Sequence, residues 1–355
     1  MNGFLVLETG ELYKGRWHGG REYSCGEAVF NTSHAGYEEI ATDPSYFSQI
    51  MVMTAPMQGN YGSREADWES GKIWIRGFVC LEIHQKGEGQ SWVKRLTEHG
   101  VPVLSGIDTR ELVLRLRNGG TPWAAMVQAD TESQARERAR ELLAQKETTS
   151  SDWTAKVCTE KIFDVAGQMP SGPRLALLDF GVKTNIIQSL VNHASQIRVF
   201  PSQTPAHAIR EWNPDGIILS NGPGDPAQVK VGVETVRDLI GWKPMFGICM
   251  GHQVLSLALG AKTFKLKFGH RGGNHPVKDL MLNKICVTSH NHGYAVSRES
   301  LPAGVTVTHI NLNDQTVEGI ECASKKCFSV QYHPESAPGP HEASELFNVF
   351  LDRLR

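Results

Sequence analysis

The sequence lacks a long apolar run: no hydrophobic stretch approaches the ~18 residues that a membrane span needs. It also lacks a paired-cysteine motif. Its seven cysteines (Cys25, Cys80, Cys158, Cys249, Cys286, Cys322 and Cys327) are scattered, odd in number and never spaced C-x-x-C. That spacing excludes a zinc ribbon and a disulfide framework and points to a reduced, cytoplasmic protein. Positive charge is not in excess, because 36 Lys and Arg face 38 Asp and Glu for a net charge of −2. No global field therefore favours nucleic acid. The G-x-x-x-x-G-K-S/T loop is missing, so no ATP cradle of that kind is expected. The opening MNGFLVLETG has no basic stretch and only four consecutive apolar residues, so it does not read as a signal peptide.

What remains is an ordinary globular balance, 40% hydrophobic and 21% charged over 355 residues, enough for two domains. Residues 1–150 read as mixed structure. FLVLETGELYKGRW predicts two strands with a turn near Gly10, and EAVFNTS, QIMVMTAP and IRGFVCLE predict more. DTRELVLRLRNGG predicts a helix that starts at an Asp cap and stops at Gly-Gly. ESQARERARELLAQ reads as a charged, solvated surface helix. Residues 151–173, ending in Pro and Gly, are expected to link the domains. From residue 174 to 355, short apolar runs alternate with helical stretches (RLALLDF, KTNIIQSLVNH, QIRVF, DGIILS, PMFGI, HQVLSLALG). This is the pattern of an α/β domain, a mostly parallel sheet with helices on both faces. ICVTS, VTVTHI, VEGIE and CFSVQ follow without long helices and predict partly antiparallel late strands.

Cys249 sits in Gly247-Ile248-Cys249-Met250-Gly251, the G-x-nucleophile-x-G form of a strand-to-helix elbow. A lone cysteine is more often a core residue. Here the glycines permit a sharp turn, and the helix that follows directs its amides at the sulfur. A cysteine nucleophile needs a base and the base an orienting group. Of the fourteen histidines, His333 in SVQYHPES has the best context. It closes a strand, and Pro334 keeps it extended, so Glu335 two residues on points the same way. The set Cys249, His333, Glu335 has the form of a nucleophilic triad.

LSNGPGDPA formally matches a dinucleotide fingerprint, but Pro223 and Pro226 remove donors that a pyrophosphate would use. A rigid loop offering glycine amides suits an oxyanion hole better. FGHRGGNHPV and SHNHGYAV carry His270, His275, His290 and His292; with no cysteine or carboxylate in a ligand spacing, they read as histidines of glycine-rich loops, and no metal is expected.

Through LSNGPGDP, GICMGHQ and YHPES, residues 174–355 resemble class I (triad) glutamine amidotransferase domains. FNTSHAGYEEIATDPSYFSQIM, GIDTREL, FGHRGGNHPV and NHGYAV extend the resemblance over the whole chain, to the small subunit of glutamine-hydrolysing carbamoyl-phosphate synthetase. The resemblance implies an N-terminal β/β/α domain and a glutaminase domain with a flavodoxin-like sheet. It assigns Cys249 as nucleophile, His333 as acid/base and Glu335 as its orienting partner. Glutamine contacts fall on Ser45, Gly222, Gly224, Met250, Gln253, Asn291, Gly293 and Tyr294. Met250 stands where Leu is usual, Tyr294 where Phe is also common, and TPWAAMV (121–127) departs from a Gly-containing segment. The implied substrate is L-glutamine. The implied partner is a large synthetase subunit in a heterodimer, or in a higher oligomer of heterodimers. No cofactor is implied for this chain; ATP and Mg2+ belong to the large subunit. The implied role is ammonia supply for carbamoyl phosphate, with neither nucleic acid nor membrane as partner.

Overall fold

The computed structural model of the chain describes residues 2–84, 90–146 and 151–354. It divides into two compact units, Met1–Thr148 and Thr149–Arg355. No helix among the described residues is long and apolar enough to cross a membrane.

The strands of the first unit are β1 (Asn2–Leu7), β2 (Leu12–Trp17), β3 (Tyr23–Asn31), β4 (Gln49–Met53), β5 (Met57–Gln58), β6 (Gly77–Val79), β7 (Glu82–Ile83), β8 (Val103–Ser105) and β9 (Trp123–Gln128). β5 and β7 pair with each other, and the others close into a barrel in the order β1-β2-β8-β6-β4-β3-β9. Closure leaves these strands without exposed edges. In the barrel the run β3-β4-β6-β8 is parallel and the remaining pairs are antiparallel; the separate β5–β7 pair is parallel. β4 is buried at every position, as a parallel strand covered on both faces should be. Where the resemblance implies a β/β/α domain, the strands observed form this mixed barrel.

Helices α1 (Tyr37–Thr42), α2 (Trp92–Glu98), α3 (Thr109–Gly119) and α4 (Glu132–Ala144) belong to this unit. α3 starts where the Asp108 side chain accepts from the Glu111 amide and stops before Gly120, whose φ is 95°. α4 is charged but not solvated all round. Ala135 and Ala139, one turn apart, are buried against Phe4, Val6, Ala125 and Val127. Its start is fixed by a capping box between Thr131 and Gln134.

The second unit builds one sheet from β10 (Phe163–Ala166), β11 (Arg174–Asp179), β12 (Gln196–Pro201), β13 (Gly216–Leu219), β14 (Met245–Ile248), β15 (Thr263–Asp279), β16 (Lys284–Val296), β17 (Thr306–Asn311), β18 (Val317–Cys322) and β19 (Cys327–Val330). The order is β10-β12-β11-β13-β14-β19-β18-β16-β15-β17. β12, β11, β13, β14 and β19 are parallel. The helices are α5 (Thr154–Val157), α6 (Thr184–Val191), α7 (Ala206–Trp212), α8 (Lys230–Leu239), α9 (Met250–Leu259) and α10 (Glu345–Asp352). One face of the sheet packs Leu177 and Phe246 against Ile186, Leu190, Phe347 and Phe350 of α6 and α10. The other packs Leu178 and Leu219 against Ile209, Val236 and Val254 of α7, α8 and α9. The chain leaves β11 first toward β12 and then returns to β13 on its other side. Ligands of such sheets bind where the order reverses, outside the carboxyl ends of the strands.

Two further expectations differ from what is observed. Residues 151–173, read as a linker, carry α5 and β10, and β10 pairs antiparallel with β12. FGHRGGNHPV and SHNHGYAV, read as loops, lie inside the long antiparallel strands β15 and β16. The β15–β16 register shifts between Lys265 and His270 and again between Gly272 and His275. Gly269 and Gly272 have positive φ there, so the glycines serve bulges within a hairpin.

Candidate active site

β14 ends at Ile248 and α9 begins at Met250, so Cys249 alone makes the turn. Its φ is 53° and ψ −102°, a conformation that side chains rarely adopt and that costs roughly 1–3 kcal/mol. Its surroundings hold it there. The Cys249 amide donates to the Val330 carbonyl and the Gly251 amide to the Ser220 carbonyl, each at 2.9 Å. Both flanking glycines are needed for close approach. A Cβ on Gly251 would lie 2.2 Å from the Leu219 carbonyl oxygen, and one on Gly247 2.7 Å from the Gly251 carbonyl oxygen. The Cys249 thiol is buried and donates to the Asn291 carbonyl at 3.7 Å.

His333 follows β19, next to β14 in the sheet, and its amide donates to the Ser289 carbonyl at 2.9 Å. Its Nδ1 meets Glu335 Oε1 at 2.6 Å. The segment expected to be extended is instead a turn through Pro334 and Glu335, closed by the Ser336 amide donating to the His333 carbonyl at 3.1 Å, and this turn brings the two side chains together. Its Nε2 is buried without a hydrogen-bond partner. Burial alone would lower the His333 pKa, but the Glu335 carboxylate and then the Cys249 sulfur outweigh it and hold it above the ordinary imidazole value. Burial would raise the Glu335 pKa, but Lys183 and His333 together hold it below the ordinary carboxylate value.

Lys183 is the participant that sequence reasoning missed. Its Nζ lies 3.0 Å from Glu335 Oε1 and donates to the Ser336 carbonyl at 2.5 Å, and both side chains are buried. It stands at the N-cap of α6, where the helix dipole disfavours a cation. That misplaced charge is the one sequence signal that could have flagged it.

The other candidates fall as follows. Gly222 and Gly224 lie on the loop after β13, which pairs with β14, so this loop and Cys249 share one edge of the sheet. A Cβ on Gly222 would sit 2.2 Å from the Phe180 carbonyl oxygen; Gly224 has φ 93° and rests on Trp153. Met250 and Gln253 occupy the first turn of α9. Gln253 Nε2 donates to the Tyr294 carbonyl at 2.9 Å and to Gln331 Oε1 at 3.0 Å, which joins α9 to β16, the strand of Asn291, Gly293 and Tyr294. Ser45 belongs to the first unit, on a turn where the Asp43 side chain accepts from its amide at 2.8 Å. His252 has no place in this chemistry. It is buried, meets Ser329 Oγ at 2.9 Å through Nδ1, and burial pushes its pKa down to about 3, so it is a neutral core imidazole.

The arrangement offers a strained, preorganised sulfur, an imidazole with one nitrogen turned inward and a carboxylate locked behind it. This is the equipment of acyl transfer through a covalent intermediate.

Known proteins carry the same two parts. Residues 176–353 match the model of the glutamine amidotransferase class-I family, and residues 5–126 match that of the carbamoyl-phosphate synthase small chain, CPSase domain. The carbamoyl phosphate synthase small chain of Thermus thermophilus is 45% identical over 99% of this chain and 92% of its own length. The one from Chlorobaculum tepidum is 46% identical over 99% of this chain and 97% of its own. The one from Archaeoglobus fulgidus is 42% identical over 100% and 99%. The chain therefore belongs to the carbamoyl-phosphate synthase small chain family and carries a class I glutamine amidotransferase domain in its second half.

Proposed function

We propose that this chain hydrolyses L-glutamine to glutamate and ammonia through the triad Cys249, His333 and Glu335. The observation that carries the reading is the elbow itself: a cysteine held at φ 53° between a strand end and a helix start, beside a buried His–Glu pair. A core thiol has no use for that strain.

The Cys249 thiolate attacks the side-chain amide carbon of glutamine. Backbone amides near Gly224 and Met250 receive the oxyanion, each such donor being worth about 3 kcal/mol. His333, kept protonated by Glu335 and by the charge on the sulfur, gives its proton to the departing ammonia. The γ-glutamyl thioester remains on Cys249. His333 then takes a proton from water, which attacks the thioester and releases glutamate. Glu335 holds the imidazole in one orientation throughout, and Lys183 holds Glu335. Gly222, Gln253, Asn291, Gly293 and Tyr294 are assigned to the bound glutamine. Ser45 is assigned to it on resemblance alone, and a several-fold rise of KM in Ser45→Ala is the expected mark of that contact.

The ammonia serves a large synthetase subunit, in which ATP and Mg2+ act on bicarbonate to make carbamoyl phosphate for arginine and pyrimidine synthesis in the cytoplasm. The pair is a heterodimer or an assembly of heterodimers. The test of the glutaminase reading is to quench the enzyme in acid during turnover of excess glutamine. A glutamyl adduct on the peptide bearing Cys249 is expected. Glutamate release without any adduct on that peptide would contradict it.

A further inference from the structure

Behind the strand that carries Asn291, the structure gathers His270, His290, His292 and Glu318, all buried, each with a ligand-capable atom within 4.8 Å of the others. They come from β15, β16 and β18, so rigid sheet elements hold them. The outer nitrogen of each imidazole is already engaged. His270 Nε2 meets Asp314 Oδ2 at 2.8 Å, His292 Nδ1 donates to the Tyr294 carbonyl at 2.8 Å, and His290 Nε2 meets Thr288 Oγ1 at 2.7 Å. The inner nitrogens face one another and the carboxylate. His290 Nδ1 is 3.1 Å from His292 Nε2, His270 Nδ1 is 3.4 Å from Glu318 Oε1, and His290 Nδ1 is 3.8 Å from Glu318 Oε2.

Protons alone leave this cluster incomplete. A proton between His290 and His292 satisfies one pair, and Asn311 Nδ2, 3.0 Å from Glu318 Oε1 and 3.5 Å from His270 Nδ1, serves that oxygen. Glu318 Oε2 stays buried with no hydrogen-bond partner. A buried carboxylate oxygen without a partner is costly.

We propose that His270 Nδ1, His290 Nδ1, His292 Nε2 and a Glu318 carboxylate oxygen form a structural site for one divalent transition-metal ion of the zinc type. Ligand atoms about 2.0–2.1 Å from a tetrahedral zinc lie about 3.3–3.4 Å from each other; the four ligand atoms here lie within 4.8 Å of one another, so the cluster would contract modestly around the ion. The outer contacts are what such ligands carry: a carboxylate, a carbonyl or a hydroxyl that fixes the tautomer. Four protein ligands close the site, so the ion would stabilise the sheet and take no substrate. Its placement gives it a local consequence. Asn291, between His290 and His292, presents its carbonyl to the Cys249 thiol, and the Tyr294 carbonyl accepts from both His292 and Gln253. The ion would thereby fix the strand against which the nucleophile and the first turn of α9 rest. The sequence expectation of no metal came from reading these histidines as loop residues; the β15–β16 pairing places them in one cluster instead.

The test is metal content and reconstitution of the full chain without a histidine tag. Purified from zinc-supplemented cells, it should hold about one zinc per chain by mass spectrometry. The chelator-stripped chain should take up Co2+ with the visible absorption of a four-coordinate site. Asp314→Asn, which removes an outer partner only, should weaken zinc binding about 10- to 100-fold. His290→Gln with Glu318→Gln should abolish it, with far-UV circular dichroism reporting the fold. A wild-type chain that neither retains zinc nor binds Co2+ would overturn the site, whatever the variants do. So would a folded double variant that binds as the wild type does.

Discussion

Lys183 and His333 converge on a single oxygen, Oε1 of Glu335, at 3.0 Å and 2.6 Å. Two cationic groups share one buried carboxylate, and the imidazole's inner face is left for the sulfur. Removing the lysine should therefore disturb the histidine without touching it. In Lys183→Met, Glu335 loses the partner that does most to hold its pKa down, so its carboxylate should titrate at higher pH. The expected outcome is a large fall in kcat, little change in KM for glutamine, and an acidic limb of the activity profile moved toward neutrality. Breaking a buried ion pair also costs about 3–5 kcal/mol, so thermal stability should drop. An unchanged pH profile would mean that Lys183 acts only as a spacer.

The same pair makes a statement about stability and pH. The His333 pKa is raised by folding, so its contribution is complete below about 6.5 and is lost as pH rises through the raised value. The Glu335 pKa is depressed, so its contribution is complete above about 4.5 and is lost as pH falls through the lowered value. Both act in full only between those limits. In Glu335→Gln the alkaline loss due to His333 should shrink. Urea denaturation of both proteins at mildly acidic and at alkaline pH measures this; parallel curves would contradict the coupling.

Gly251 tests the elbow by packing. The Cβ of Gly251→Ala would sit 2.2 Å from the Leu219 carbonyl oxygen, which is backbone and cannot step aside. Overpacking of this kind costs about 1–3 kcal/mol. The variant should melt earlier and lose glutaminase activity beyond what its melting explains, because the Cys249 turn must shift. Gly119→Ala, whose added Cβ meets nothing within 4 Å, is the control and should be close to neutral.

The parts of the site legible in the sequence are those encoded locally. Gly247 to Gly251 specify a turn within five residues, and His333 and Glu335 stand two residues apart, although a turn at Pro334 and Glu335 rather than strand alternation pairs them. The strands and helices of the parallel half were legible where each buries a continuous apolar run or stripe, as Leu175–Leu178 and α6 do. Lys183 was missed because its one local mark, a cation at a helix N-cap, does not name a partner 152 residues away. β10 was missed because it is a largely exposed edge strand, and its FDVA shows no inward face. The histidine-bearing hairpin was misread because its bulges break the two-residue period just where the glycines fall. In the first unit the strands were legible singly, but barrel closure depends on parallel pairings such as β4 with β6 and β6 with β8, which no short turn announces.

The central claim is that Cys249 carries the glutamyl group, and Cys249→Ser in the complex with the large subunit tests it most directly. Carbamoyl phosphate formation should be measured with glutamine and, separately, with added ammonia as nitrogen source. The expected result is loss of glutamine-dependent synthesis with ammonia-dependent synthesis retained. Retention of glutamine-dependent synthesis in the folded variant would contradict the account.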